Sequence, residues 1–208
     1  MPLTFYLRDK NPEVVAAWGQ FFGRQANLDI AEGDALELDV STIVMPLNSF
    51  GILGSGFARD LNVHSKGLLE GRVRKLIEDK YAGELPVGVS EVLKSGIEKP
   101  DYVVISPTVR VPPERVSNAN VNTYLATRAA LRAIASFVRK ELQEGRESSI
   151  TSVALVGMGT GQGKTPPVIA AFQMYEAYCQ IVMGREPNFA TIESANAHDQ
   201  ELRKARYM

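Results

Sequence analysis

Two glycine-rich turns carry the first chemistry in this chain: Asn48-Ser49-Phe50-Gly51-Ile52-Leu53-Gly54-Ser55-Gly56 and Gly157-Met158-Gly159-Thr160-Gly161-Gln162-Gly163. Each follows an apolar run, Thr42 to Met45 and Ile150 to Val156, and each precedes a helical pattern. Glycines let successive backbone N–H groups point the same way, and a following helix adds the positive end of its dipole. That combination holds phosphate. One such turn is ordinarily only a tight strand-to-helix connection, but two at the same sheet edge have enough donors for a diphosphate.

Other chemistries fit less well. Gly161-Gln162-Gly163-Lys164-Thr165 ends like a nucleoside-triphosphate loop, yet G-x-x-x-x-G-K-[ST] would need its first glycine at Met158, and Pro166-Pro167 follow directly. There is no G-x-S-x-G, no H-E-x-x-H and no pair of cysteines. His64 and His198 lie far apart in polar surroundings and read as solvated side chains. Cys179 falls on an apolar helical face, which predicts a buried structural thiol. Glu32-Gly33-Asp34 by itself is an ordinary turn.

The elements that must position these turns are read from periodicity. Leu3, Phe5 and Leu7 alternate with polar neighbours, which predicts a strand with one buried face. Asn11-Pro12-Glu13 is a helix start, with Val14, Val15, Trp18, Phe21 and Phe22 at helical spacing up to Gly23. A strand near Leu28 to Ala31 leads to Gly33-Asp34, and the Thr42-Ile43-Val44-Met45 run predicts a central strand buried on both faces. Leu69, Val73, Leu76 and Ile77 mark a further helix, and Tyr102 to Ile105 a further buried strand, with Pro107, Pro112 and Pro113 expected to end it. Asn120 to Gly145 reads as a long amphipathic helix with Tyr124, Leu131, Ile134, Phe137, Val138 and Leu142 inward. A last helix runs through Phe172, Tyr175, Cys179 and Val182 to Gly184.

Strands alternating with helices imply an α/β layered sandwich. Residues 185–208 are polar and weakly patterned, so the expected division is one domain over 1–184 and a tail or short helix over 185–208.

Composition agrees with one globular domain. The chain has 208 residues, 45% hydrophobic and 23% charged, which excludes disorder as its main state. A net charge of -1 supplies no global field for nucleic acid or an anionic membrane. A single cysteine, no basic-then-apolar start and no apolar run of membrane-spanning length predict a cytoplasmic protein that neither spans nor anchors.

The order of the pieces adds a family. Gly33-Asp34-Ala35-Leu36-Glu37-Leu38-Asp39-Val40, then Ile43-Val44-Met45-Pro46-Leu47-Asn48-Ser49, then Gly54-Ser55-Gly56, and finally Gly159-Thr160-Gly161 before a helix, resembles a macro domain, the ADP-ribose-binding module. The family pattern reads roughly G-D-I-T, V-N-A-A-N-S, a glycine run, and S-T-G, and the resemblance covers about residues 28–183. It implies a three-layer α/β/α sandwich with a mixed central sheet. It also implies that Asp34 accepts from the adenine amino group, that Asn48 lies near the distal ribose, and that Gly54, Ser55 and Gly56 with Gly159, Thr160 and Gly161 hold the diphosphate.

Two departures bear on catalysis. Met45 stands in place of the family's first asparagine, and Ala58 stands where many of its hydrolases carry a catalytic aspartate, with Asp60 two residues on. The resemblance therefore implies binding of ADP-ribose or a related nucleotide diphosphate, free or on an ADP-ribosylated macromolecule, without a cofactor or metal. It leaves a pure reader and a hydrolase of ADP-ribosyl linkages or of ADP-ribose derivatives both open, with Asn48 the catalytic candidate and Asp60 and Arg59 the next positions to test. The alternative from another class is a P-loop-like phosphohydrolase.

Overall fold

Phe5 and Leu7 are buried while their neighbours in Thr4–Asp9 (β1) are partly open, the alternation of a half-buried strand. The computed structural model describes residues 3–23, 25–112, 120–185, 187 and 189–204. Helix Pro12–Phe21 (α1) begins where the Asn11 side chain accepts from the Glu13 N–H at 2.9 Å, and it buries Val14, Ala17, Trp18 and Phe21. Then come Leu28–Glu32 (β2), a 3-10 turn at Ala35–Glu37, Thr42–Asn48 (β3), Gly56–His64 (α2), Leu68–Tyr81 (α3), Glu91–Lys94 (β4) and Tyr102–Val109 (β5). Asn122–Gln143 (α4), Ser152–Leu155 (β6), Pro167–Ile181 (α5) and Ile192–Lys204 (α6) complete the described chain.

The strands form one six-stranded sheet in the order β2-β1-β6-β3-β5-β4, parallel except for β4, which runs antiparallel to β5. Side-chain alternation divides the core in two. Val44 and Val104 face a cluster built by α1, α4 and α5, whereas Ile43, Met45, Val103 and Ile105 face a second one built by α2 and α3. A side chain buried as fully as Ile43 or Ile105 contributes about 1.5–3 kcal/mol relative to exposure. The mixed sheet between two helical layers is the architecture expected from the sequence.

Particular expectations are corrected. Pro107 does not end β5, which continues to Val109; the β4 ladder stops opposite Ile105, so the flank on which a proline would break pairing is already free. Pro113 lies outside the described residues. Strand β4 was not predicted, because four half-buried residues, Glu-Val-Leu-Lys, give too short a pattern. In α4, Leu142 is 59% exposed while Glu141 turns inward, its carboxylate accepting from the Ser149 hydroxyl at 2.6 Å and the Ser149 N–H at 2.8 Å. His64 is exposed as expected, but His198 is partly buried, its ring edge-on to Tyr124 and Phe189. Within 185–208, α6 packs Leu202 into the core against α5.

Candidate functional site

Because β2, β1, β6, β3 and β5 run the same way, their carboxyl ends share one edge of the sheet. There the chain forms a cavity of about 350 Å³. Each strand sends its following turn to the wall: Arg8 to Asn11 after β1, Gly33 to Ala35 after β2, Asn48 and Ser55 to Ala58 after β3, Thr108 and Val109 at the end of β5, and Gly157 with Gly159 to Gln162 after β6. This is the crevice that parallel sheets offer to ligands.

The structure brings Asp34, Asn48, Ser55, Gly56, Gly159, Thr160 and Gly161 together on this wall; Gly54 is adjacent but not part of it. The first phosphate-type element is the start of α2. Ser55 occupies its N-cap without a side-chain bond, so the N–H groups of Gly56, Phe57 and Ala58 have no acceptor among the described residues. The second is the loop itself. Thr165 N–H bonds the Gly159 carbonyl at 3.0 Å and Lys164 N–H the Gly161 carbonyl at 3.2 Å, which folds the loop back on itself. The N–H groups of Gly159, Gly161 and Gln162 are left without an acceptor among the described residues. Two sets of backbone donors thus line one cavity.

Gly159 is required by geometry. Its φ of +76° disfavours a side chain, and a Cβ there would stand 2.3 Å from the Thr123 hydroxyl. Gly161 is different, since a Cβ on it would meet open space.

Asn48 is 8% exposed and spends its amide on its own loop. Its Oδ1 accepts from the N–H groups of Phe50 at 3.1 Å and Ile52 at 3.3 Å, and its Nδ2 donates to the Ile52 carbonyl at 2.7 Å. A β-bulge between Leu47 and Asn48 against β5 sets this residue at the cavity edge. Asp34 caps the 3-10 turn through Leu36 N–H at 3.0 Å and pairs with Lys10 Nζ at 2.6 Å. Burial pushes its carboxyl up, but the Lys10 ammonium and the Leu36 N–H outweigh this and hold it below the usual aspartate value.

Sequence reasoning missed the turn from Arg8 to Asn11. Asp9 reaches from it to the second loop, accepting from Gly157 N–H at 2.9 Å and from Asn11 N–H at 2.9 Å. The signal was present: every strand-to-helix turn of a parallel sheet reaches the same edge, and β1 is followed by a capped helix. Ala58 is buried in the wall at 5% exposure, and Asp60 lines the cavity while pairing with Arg59 at 2.9 Å.

The triphosphate-loop alternative is overturned. Lys164 is exposed and does not line the cavity, and α5 begins at Pro167, which has no N–H to offer a phosphate. No group of three or more His, Cys, Asp or Glu is placed to hold a metal among the described residues. Among the same residues no helix is long and apolar enough to cross a membrane.

Comparison with known proteins agrees with this architecture. The macrodomain of Mycobacterium tuberculosis DarG superposes with a TM-score of 0.55 at 22% identity, over 72% of this chain and 88% of that one. The Oceanobacillus iheyensis macrodomain with ADP gives 0.56 at 14% identity, over 82% and 87% of the two chains. Thermosipho africanus DarTG in complex with ADP-ribose gives 0.51 at 17% identity, over 88% of this chain and 51% of that one. An uncharacterized protein of Aquifex aeolicus (strain VF5) is 32% identical over 150 residues, 72% of this chain and 79% of the relative. The family model for the macro domain matches residues 62–174, more than half of the sequence. With its mixed sheet, its carboxyl-edge cavity and this match, the chain belongs to the macro domain family.

Proposed function

We propose that the protein binds ADP-ribose, free or attached to a macromolecule, in the carboxyl-edge cavity. The observation that carries this reading is the pair of donor sets, Gly56 to Ala58 and Gly159, Gly161 and Gln162, left without acceptors on the same wall. Unpaired N–H groups are costly unless water or a ligand meets them, and a diphosphate meets both sets at once. Asp34 then accepts from the adenine amino group. Asn48 acts through the loop it braces, positioning backbone near the distal ribose instead of touching the reacting bond with a free amide.

The reading favours a binding module over a fast hydrolase. Ala58 supplies no carboxylate, and Asp60 is tied to Arg59. We infer a cytosolic setting, in keeping with a single cysteine that cannot form an internal disulfide. Calorimetric titration with ADP-ribose, ADP, ATP and NAD, with and without magnesium, tests the reading. ADP-ribose is expected to bind tightest and independently of magnesium; a magnesium-dependent preference for ATP would sink it.

A further inference from the structure

We propose that Gln173, in the middle of α5, is a positioning residue for the second phosphate loop, and that it ties the docking of α6 to the shape of the cavity. The inference rests on the ADP-ribose reading only for the ligand; its geometry is independent of it.

Helix α4 caps only part of its own first turn. The N-cap position of α4 is Val121, which has no side-chain acceptor; the Asn120 Oδ1 accepts from the Asn122 N–H at 3.1 Å, which leaves N–H groups deeper in the first turn to partners from elsewhere. Gln173, fully buried, supplies one acceptor from a different helix: its Oε1 accepts from Tyr124 N–H at 3.0 Å. Its Nε2 donates to the Asn120 carbonyl at 2.9 Å and to the Leu202 carbonyl of α6 at 3.0 Å. One amide therefore fixes the start of α4 and joins it to α6.

The same first turn holds the loop. Thr123, also fully buried, donates its hydroxyl to the Met158 carbonyl at 3.1 Å, and that hydroxyl is the atom a Cβ on Gly159 would strike. If the start of α4 shifts, the wall behind Gly159 shifts with it. The connection runs from the Leu202 carbonyl through Gln173 to the first turn of α4, and through Thr123 to Met158 and Gly159. It reaches residues beyond the 62–174 span of the family match, so α6 shapes the binding loop without lining it.

The test compares the two loops of one cavity in the full-length protein. Amide hydrogen exchange is measured on the unliganded chain for the hydrogen-bonded amides of the second loop, Gly157, Thr160, Lys164 and Thr165, and for 50–52, whose Asn48 braces are separate. Gln173→Leu, which keeps the bulk and removes both hydrogen-bonding ends, is expected to raise exchange at those second-loop amides by about tenfold or more and leave 50–52 within about twofold, and to weaken ADP-ribose by about tenfold. Thr123→Val should reproduce this, and Thr123→Ser, which keeps the hydroxyl, should restore it. Should Gln173→Leu fail to fold, the Thr123 pair decides alone. Unchanged exchange at the second-loop amides, or an equal rise in both loops, overturns the proposal. The expected exchange pattern in a protein that does not bind ADP-ribose would uphold the linkage and remove the ADP-ribose reading instead.

Discussion

The Lys10 ammonium lies 2.6 Å from Asp34 Oδ2, so the carboxylate proposed for the adenine edge is already ion-paired before any ligand arrives. An ionised carboxylate has about four acceptor positions, and Lys10 and Leu36 N–H occupy two. The remainder are free for an amino group. Lys10 is itself 68% exposed, so it can give way without loss to the core.

Asp34→Ala is expected to weaken ADP-ribose by about 1.5–3 kcal/mol, the range for a hydrogen bond to a charged group. Lys10→Ala should leave both affinity and melting temperature close to the parent. Calorimetry on variants that keep the parent circular dichroism spectrum checks both. An Asp34→Ala protein of unchanged affinity removes the adenine role and leaves only the cap on the 3-10 turn.

The second loop is probed by a contrast. Gly161→Glu should fold, since a Cβ there meets nothing within 4 Å, and should abolish binding by filling the cavity with like charge. Lys164→Ala should cost little, because backbone donors and not this ammonium line the cavity. A severe loss on Lys164→Ala would reverse the assignment.

Turnover is expected to be slow or absent. Release of ADP-ribose from a mono-ADP-ribosylated substrate should stay well below about 1 per second, the lower end of ordinary enzymes. If multiple turnovers occur at that rate or faster, Asp60→Asn should abolish them, because Asp60 is the nearest carboxylate in sequence to the position Ala58 fills.

His198 makes stability depend on pH. Burial against Tyr124 and Phe189 lowers its pKa below the usual 6.5, more than Glu201 and Asp199 raise it, while Arg128 lowers it further. The folded state therefore holds it neutral while the unfolded chain protonates, and the unfolded state binds more protons below 6.5. Its stabilising contribution is complete above that value and declines as pH falls toward the lower folded one. The melting temperature should drop between about pH 7.5 and about pH 5.5, and His198→Phe, which preserves the ring contacts, should lessen that drop. An identical drop in the variant would assign the dependence to other groups.

The sequence by itself determined the elements whose signals are local. Asn11-Pro12-Glu13 started a helix as a capping argument requires, and the apolar run at Thr42 to Met45 became an interior strand because four consecutive apolar or β-branched residues need cover on both faces. The ordered motifs from Gly33-Asp34 to Gly159-Thr160-Gly161 were enough to indicate the macro domain family. Tertiary structure decided the rest. That Asp9 and Lys10 join the site followed from β1 lying between β2 and β6, a pairing between segments distant in the chain. Leu142 faced out and Glu141 in because Ser149, on the following turn, could satisfy a buried carboxylate. Gln173 has no motif at all; its value lies in three partners, Asn120, Tyr124 and Leu202, that only folding assembles around one amide. Periodicity reports which face of an element is apolar, but hydrogen-bond geometry between elements depends on where the whole chain has placed them.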